Sequence, residues 1–111
     1  MTAIPMPELK SQKFDDHYIL REGAAGLFLA ASKFPKVRET RPPKLSELRA
    51  IQAQLEDKFQ YLFTAPDTDN EGNPTILRWS RKNAEQYIGS EKDGKATKFA
   101  LVYRKGKWVE E

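Results

Sequence analysis

The sequence predicts an α+β protein, mainly β, in which two small antiparallel subdomains without metal are connected by an amphipathic helix. Apolar and polar residues alternate over residues 17–22, ahead of a short apolar run at residues 27–31. Apolar residues then recur every three or four positions over residues 45–62, and alternation returns over residues 75–80 and 96–103. A chain of 111 residues accommodates one domain or two tightly packed half-domains. We expect a flexible lead-in over residues 1–13, a first subdomain plus the helix over 14–64, and a second subdomain over 65–111.

The composition excludes several classes of function. The chain has no Cys and a single His, which excludes a disulfide framework, a thiolate zinc site and a histidine cluster. Thiol and Ser-His-Asp catalysis are equally unexpected, and no cofactor is predicted. The longest apolar run, residues 24–31, is too short to span a bilayer, and the N-terminus lacks the features of a signal peptide. We therefore expect a cytoplasmic protein without a membrane partner.

The first predicted subdomain is built on a hairpin. Residues 17–22 alternate and residues 27–31 form a short apolar run. Gly23 and Gly26 lie between them and provide the positive φ angles that a tight hairpin needs. The second strand places Phe28 in the core.

A third strand and then a helix are expected after this hairpin. The strand is predicted over residues 37–40, before Pro42 and Pro43 stop it. From Lys44 the period changes to three or four, which predicts an amphipathic helix. Its apolar positions are Leu45, Leu48, Ile51, Leu55, Phe59 and Leu62.

The remainder of the chain predicts a loop and a second set of strands. Residues 65–74 are rich in Pro, Asp, Asn and Gly, which is typical of a loop. Its acidic residues, Asp67, Asp69 and Glu71, lack the later Glu of a calcium loop, so a solvated loop is the better interpretation. Strands are predicted over residues 75–80, 86–91, 96–103 and 108–109.

Charges are strongly segregated along the chain. Residues 33–49 contain six basic and two acidic residues, residues 56–71 contain five acidic and one basic, and residues 78–107 contain nine basic and three acidic. Aromatic residues are interleaved with both basic blocks. This composition is typical of a surface that neutralises phosphates and stacks bases. A solvated surface with uneven charge is the competing interpretation.

These blocks supply the candidate nucleic-acid contacts. Core packing is the alternative for Trp79, which shares a strand face with Leu77, and for Tyr103, which shares one with Leu101. The candidate phosphate-binding residues are Lys33, Lys36, Arg38, Arg41, Arg78, Arg81, Lys82, Lys95, Lys98 and Arg104, and the candidate base-stacking residues are Phe34, Trp79, Tyr87 and Tyr103.

A resemblance to a known family is carried by the segment Arg21-x-Gly23-x-x-Gly26-x-Phe28-x-x-Ala31-Ser32-x-Phe34-Pro35-x-Val37. This segment resembles the zinc-ribbon repeats at the C-terminal end of bacterial type IA DNA topoisomerase I. In those repeats a Cys pair stands where this chain has Ala31 and Val37, and a second pair lies upstream. The chain resembles the cysteine-free last repeats of the enterobacterial type, and the similarity covers about residues 8–111.

The resemblance implies two tandem, metal-free, zinc-ribbon-like subdomains that bind single-stranded DNA. They would assist strand passage and relaxation of negatively supercoiled DNA by a catalytic core that this chain does not contain. The family's catalysis uses a tyrosine nucleophile. No tyrosine of this chain is assigned that role, because none lies in a matching motif: Tyr18, Tyr61, Tyr87 and Tyr103. We expect a monomer associated with the nucleoid. The alternatives are a protein-interaction module that docks RNA polymerase and a general RNA-binding domain.

Overall fold

The computed structural model describes residues 3–13 and 15–111, so that Met1, Thr2 and Phe14 lie outside the described residues. The chain divides into two compact units, of which the first ends at Pro42 and the second comprises Pro43–Glu111. Each unit contains one four-stranded antiparallel sheet whose strands are ordered as they occur in the chain. The predicted fold class, two small and mainly β subdomains, is therefore confirmed.

The first sheet is built around the predicted hairpin. It consists of β1 (Ile4–Lys10), β2 (His17–Gly23), β3 (Gly26–Ala31) and β4 (Thr40–Arg41). A two-residue turn joins β2 to β3, with Gly26 at a φ of 83° that favours glycine. Because side chains alternate between the two faces of a sheet, this register places the buried side chains on one face. They are Ile4, Met6, Tyr18, Leu20, Leu27 and Leu29.

The predicted lead-in contains a strand. Residues 4–10 form β1, which pairs with β2 so that Met6 lies opposite Tyr18. Met6 is buried, whereas Pro5 and Pro7 are exposed. The prolines are compatible with pairing because β1 is the edge strand, where a missing N–H need not remove a ladder hydrogen bond. The period of two over residues 4–6 is too short to be recognised beside the prolines.

Two further expectations for this sheet are corrected. Phe28 is half-buried and lies on the face opposite Leu27 and Leu29, because Arg21 is its cross-strand partner. The last strand is Thr40–Arg41, later than the predicted residues 37–40. Residues 32–37 instead form turns and a bend, in which the N–H of Val37 donates to the carbonyl oxygen of Lys33 at 3.2 Å.

The predicted amphipathic helix is divided into three short helical pieces. Only Leu45–Arg49 is α-helical (α1), and it is followed by 3₁₀ helices at Gln52–Gln54 and Asp57–Thr64. All six predicted apolar positions are buried, and many are separated by three residues, which suits the 3₁₀ period. The Gln60 amide donates to the carbonyl oxygens of Gln52 and Leu55, both at 3.0 Å, and thereby satisfies backbone groups at the break.

The helical segment belongs to the second unit, which begins at Pro43. The predicted boundary between residues 64 and 65 placed this segment in the first subdomain. The N–H of Leu77 donates to the carbonyl oxygen of Pro43 at 2.9 Å, and Lys44 forms a β-bridge with Ile76. α1 follows directly and contacts the same strand. The segment is therefore attached by its first residues to the edge of the second sheet, a long-range pairing that helical periodicity does not encode.

The second sheet follows the predicted strands closely. It consists of β5 (Thr75–Ser80), β6 (Glu85–Lys92), β7 (Lys95–Arg104) and β8 (Lys107–Glu110). The buried side chains of one face include Leu77, Ile88 and Leu101, which lie opposite one another on β5, β6 and β7. The Asp93-Gly94 and Lys105-Gly106 turns contain residues with positive φ, as two-residue hairpins require.

The acidic loop before β5 is organised by Asp69. Its carboxylate accepts hydrogen bonds from the N–H groups of Glu71 and Asn73, from the Asn73 amide and from the Ser90 hydroxyl. These bonds, that of Ser90 foremost, lower the pKa of Asp69 below its ordinary value. Of the three acidic side chains in this loop, that of Asp69 is therefore a hydrogen-bond acceptor that holds the loop in place.

Met6→Ala is expected to destabilise the first unit by about 2–5 kcal/mol, because Met6 is 1% exposed and its truncation leaves a cavity. Urea unfolding monitored by circular dichroism measures the effect. Glu8→Ala, an exposed change in the same strand, serves as the control. Equal stability of the two variants would show that β1 is a dispensable lead-in.

Candidate nucleic-acid interface

The first sheet carries an arginine and two aromatic rings together on its outer face, the face opposite its buried side chains. Arg21 on β2 lies directly opposite Phe28 on β3. The Phe34 ring meets the Phe28 ring edge to face, with 6.0 Å between centroids, and the Arg21 guanidinium lies 5.9 Å from the Phe34 centroid. All three side chains are half-buried, so each presents part of its surface to solvent.

Gly23 makes room for this cluster. A Cβ atom at residue 23 would lie 3.1 Å from Cε1 of Phe28, closer than ordinary van der Waals contact. The glycine therefore lets the Phe28 ring lie against the backbone of β2, where it supports Phe34.

The loop between β3 and β4 carries Phe34 together with several cations. Lys33, Lys36 and Arg38 are exposed in this loop. Arg41 is placed differently: its guanidinium lies 4.9 Å from the centroid of the buried Tyr18 ring, and Nη1 donates to the carbonyl oxygen of Pro42 at 3.2 Å. Of the four basic candidates in the first unit, three are thus exposed in the loop that carries Phe34, whereas Arg41 lies on the buried face beside Tyr18.

The second sheet repeats the arginine and aromatic pair on the face opposite Leu77 and Ile88, which we call its outer face and which also carries the buried side chains of Ile76 and Val102. Arg78 on β5 lies directly opposite Tyr87 on β6. A Cβ atom at residue 89 would lie 3.0 Å from Cδ of Arg78, so Gly89 lets the arginine stem cross the sheet. Lys98 on β7 is exposed. Arg104 is exposed too, but its Nη1 lies 2.7 Å from Oε2 of Glu85.

The other aromatic candidates lie on the opposite face of this sheet. Trp79 alternates with Arg78, is 36% exposed and lies opposite Gln86. The Tyr103 ring contacts the rings of Tyr61 and Trp108, with centroids 4.9 and 5.0 Å away. The structure therefore separates Tyr87 from Trp79 and Tyr103.

Two of the three remaining basic candidates lie in a turn, and the third begins a strand. Arg81 and Lys82 are exposed between β5 and β6, at the end of the sheet near Trp79. Lys95 is exposed at the hairpin between β6 and β7, which lies at the other end of β6.

The sequence prediction missed Arg21, Phe28, Tyr61 and Trp108 as members of these clusters. A signal for the first pair was present, because a two-residue turn after Gly23 places Arg21 opposite Phe28 by counting outward from the turn. Tyr61 and Trp108 meet only through the packing of a helical piece on a strand, and local sequence carries no signal for that contact.

Comparison with known proteins identifies the fold. The sequence profile of the family described as "Topoisomerase I zinc-ribbon-like" matches residues 5–41 and 72–111. The chain belongs to this family. The two matched ranges lie in the first and second sheets, so each sheet is one zinc-ribbon-like unit and the helical segment lies outside the match.

The curated relatives are much longer proteins. The chain is 55% identical over 108 residues to DNA topoisomerase 1 of Pseudomonas aeruginosa, 53% identical over 107 residues to that of Escherichia coli, and 45% identical over 106 residues to that of Vibrio cholerae. These matches cover 96–97% of the chain and 12% of each relative. The zinc-ribbon-like chain thus corresponds to an accessory C-terminal part of these proteins.

The residues at the metal position of the first zinc-ribbon-like unit do not fit zinc. Ala31 and Val37 stand where the family has one Cys pair, and neither side chain offers a ligand atom. Among residues 3–13 and 15–111, no group of three His, Cys, Asp or Glu side chains could hold a metal ion. Nor does that part of the chain contain a helix long and apolar enough to cross a membrane.

Hydrogen bonds to two carboxylates connect the two loops at this position instead. The Glu39 carboxylate accepts from the Ser11 hydroxyl, from the N–H of Gln12 at 3.0 Å and from the Tyr18 hydroxyl at 2.5 Å. The Asp16 carboxylate accepts from the Ser32 hydroxyl at 2.5 Å. We call these four bonds the carboxylate clasp. It joins the β1–β2 loop to the basic loop that carries Phe34.

The clasp stabilises the charged forms of its carboxylates. Burial of Glu39 opposes ionisation, but the hydrogen bonds from Ser11, Tyr18 and Gln12 outweigh it, so the pKa lies below its ordinary value of 4.5. The bond from Ser32 is the main cause that lowers the pKa of Asp16. Burial, followed by hydrogen bonding to Glu39, raises the pKa of the Tyr18 hydroxyl.

Glu39→Gln is expected to lower the free energy of unfolding of the first unit by about 1–3 kcal/mol, because a buried charged acceptor of three hydrogen bonds is replaced by a neutral amide. Since the pKa of Glu39 is lower in the folded state, its stabilisation is present above pH 4.5 and is lost as the pH falls below that value. Urea unfolding between pH 7 and pH 3 tests this. The loss of unfolding free energy caused by Glu39→Gln, measured relative to the exposed control Glu8→Gln, should be smaller at pH 3 than at pH 7. A cost independent of pH would contradict the clasp.

Metal removal is expected to leave the protein unchanged, because the clasp contains no metal ligand set. Thermal unfolding with and without a strong chelator should give the same Tm, and elemental analysis should find no stoichiometric zinc. A Tm lowered by the chelator would show that a metal contributes to the fold.

Proposed function

We propose that this chain binds single-stranded DNA, and that it does so as an accessory part that assists strand passage and relaxation of negatively supercoiled DNA by a topoisomerase catalytic core. The observation that carries this proposal is the repeated pair on the outer faces, Arg21 with Phe28 and Arg78 with Tyr87. In both sheets a glycine beside the pair lets one of its side chains lie flat on the strand.

The chemistry of the pair suits unpaired bases. A guanidinium binds a phosphate through planar, directional hydrogen bonds, and an aromatic ring next to it offers a base a stacking surface. Duplex DNA keeps its bases stacked on each other, so rings of this kind favour single strands.

The exposed cations extend the proposed contact along the backbone of the DNA. Lys33, Lys36 and Arg38 would bind phosphates beside Phe34, and the second unit would do so through Arg78, Arg81, Lys82, Lys95 and Lys98. Arg41 and Arg104 already have protein partners in Tyr18 and Glu85, so a phosphate role for them requires an exchange of partners.

The relatives support the biological setting of this proposal. They carry the name DNA topoisomerase 1, and the chain matches 12% of their length. The chemistry of strand cleavage would therefore lie in another part of a longer polypeptide, acting at the nucleoid in the cytoplasm. RNA binding and docking of RNA polymerase are the competing functions, and the binding experiments below distinguish them.

Phe34→Ala should weaken binding to a single-stranded oligonucleotide by about 1–3 kcal/mol with little change in salt dependence, because it removes stacking. Tyr87→Ala, which removes the ring of the second pair, should behave in the same way. Arg38→Ala, Arg81→Ala or Lys98→Ala should instead reduce the magnitude of the salt slope by about 0.7 each, because each removes one phosphate contact. Fluorescence anisotropy over a range of salt concentrations measures both quantities.

Lys58→Ala is the matched control, because it removes an exposed cation that is not among the proposed contacts. Circular dichroism verifies that each variant is folded. Equal affinity for duplex and single-stranded DNA would refute stacking as the basis of recognition. Tighter binding of RNA than of DNA of the same sequence would support the RNA-binding alternative, and binding of RNA polymerase without DNA binding would support the docking alternative.

A further inference from the structure

A groove in the second unit lies among aromatic side chains that the outer faces do not use. It has a volume of about 310 Å³ and is lined by Tyr61, Glu85, Gln86 and Tyr103. Trp79 lies beside it as the cross-strand partner of Gln86, and Trp108 lies beside it as the partner of Tyr103. The groove therefore forms part of an aromatic row that crosses the strands of the sheet.

The rings of this row are held in place by the protein itself. Tyr61 and Trp108 are stacked, with centroids 5.8 Å apart and planes inclined by 12°. The Trp108 indole N–H donates to Oγ1 of Thr64 at 2.8 Å. Burial raises the pKa of the Tyr61 hydroxyl above its ordinary value, so it is neutral at physiological pH. Ordered, uncharged rings beside an open groove are a surface on which a planar group can stack at low entropic cost.

Cations flank the groove at the same end of the sheet. Arg81 and Lys82 are exposed in the turn between β5 and β6, and Lys105 is exposed in the turn between β7 and β8. Both turns lie at the end of the sheet where Trp79, Glu85 and Trp108 are found, because β5 and β7 end there and β6 and β8 begin there. The phosphates on either side of a bound base would meet these cations.

Glu85 is the one acidic side chain that lines the groove. Its carboxylate accepts hydrogen bonds from Nη1 of Arg104, at 2.7 Å to Oε2 and 3.2 Å to Oε1. This contact holds the carboxylate in place, and each oxygen retains a lone pair for a further donor. A carboxylate repels phosphate, so a DNA strand that enters this groove must present a hydrogen-bond donor to it. The exocyclic amino group of a base is such a donor, whereas thymine presents a carbonyl oxygen at the corresponding position and only its ring N3–H as a donor.

We propose that this groove holds one unstacked base that carries an exocyclic amino group, and that Glu85 accepts a hydrogen bond from that group. The inference rests on the proposed binding of single-stranded DNA and adds a preference to it. Cytosine and thymine have the same ring size but present an amino group and a carbonyl oxygen at the same position. They therefore form the most direct comparison.

The test compares oligo-dC with oligo-dT of equal length at neutral pH. The chain has two Trp residues, and both lie in the aromatic row, so quenching of intrinsic fluorescence reports on binding at the groove. Oligo-dC is expected to bind about tenfold more tightly than oligo-dT, the lower end of what one added hydrogen bond to a charged group supplies. Glu85→Gln should reduce this ratio to about twofold or less.

Glu91→Gln is the matched control, because it removes the same charge from the same strand outside the groove. It should keep the full preference for dC. Equal binding of dC and dT by the unmodified chain, or an unchanged ratio in Glu85→Gln, would overturn the proposal while leaving DNA binding intact. Absence of any binding to single-stranded DNA would refute the proposed function itself, and the preference with it.

Discussion

The register of two hairpins, β2–β3 and β5–β6, is the constraint on which the rest of this structure depends. Side chains alternate between faces in a strand, so a slip of one residue would exchange every buried side chain for an exposed one. In the observed registers Leu20 meets Leu29 and Leu77 meets Ile88 on the buried faces. The same registers place Arg21 opposite Phe28 and Arg78 opposite Tyr87 on the outer faces. Core formation and the proposed DNA contact are thus two consequences of one pairing.

A ribbon without cysteines must connect its loops by other means, and the carboxylate clasp shows how the first unit does so. Zinc coordination would supply four strong bonds at one point, whereas the clasp distributes its bonds over Glu39 and Asp16. Its strength depends on the ionisation of carboxylates and not on the supply of a metal. The basic loop with Phe34 leaves the clasp at Ser32 and returns to it at Glu39, so the clasp also sets the position of the loop that we propose binds DNA.

The second unit uses its two faces differently from the first. Its outer face carries the repeated arginine and aromatic pair. The aromatic row lies on its other face, near the end of the sheet, where the rings are partly exposed. The helical segment makes this arrangement possible, because Tyr61 and Thr64 contribute to the row from outside the sheet. A sheet of four short strands thereby offers a stacking surface on each face.

The sequence alone determined six of the eight strands, the hairpin turns, the buried apolar positions of the helical segment and the family, because these features depend on local periodicity, glycine conformation and motif spacing. It also identified Phe34, Arg78 and Tyr87 as candidate contacts. Tertiary structure decided the rest: that residues 4–10 pair with β2, that residues 43–64 join the second sheet, that Arg41 packs on Tyr18, and that Tyr61 meets Trp108. Each of these contacts joins residues that are distant along the chain or on adjoining strands. The free energy of such a contact depends on which surfaces the fold brings together, and no local pattern of residues specifies that.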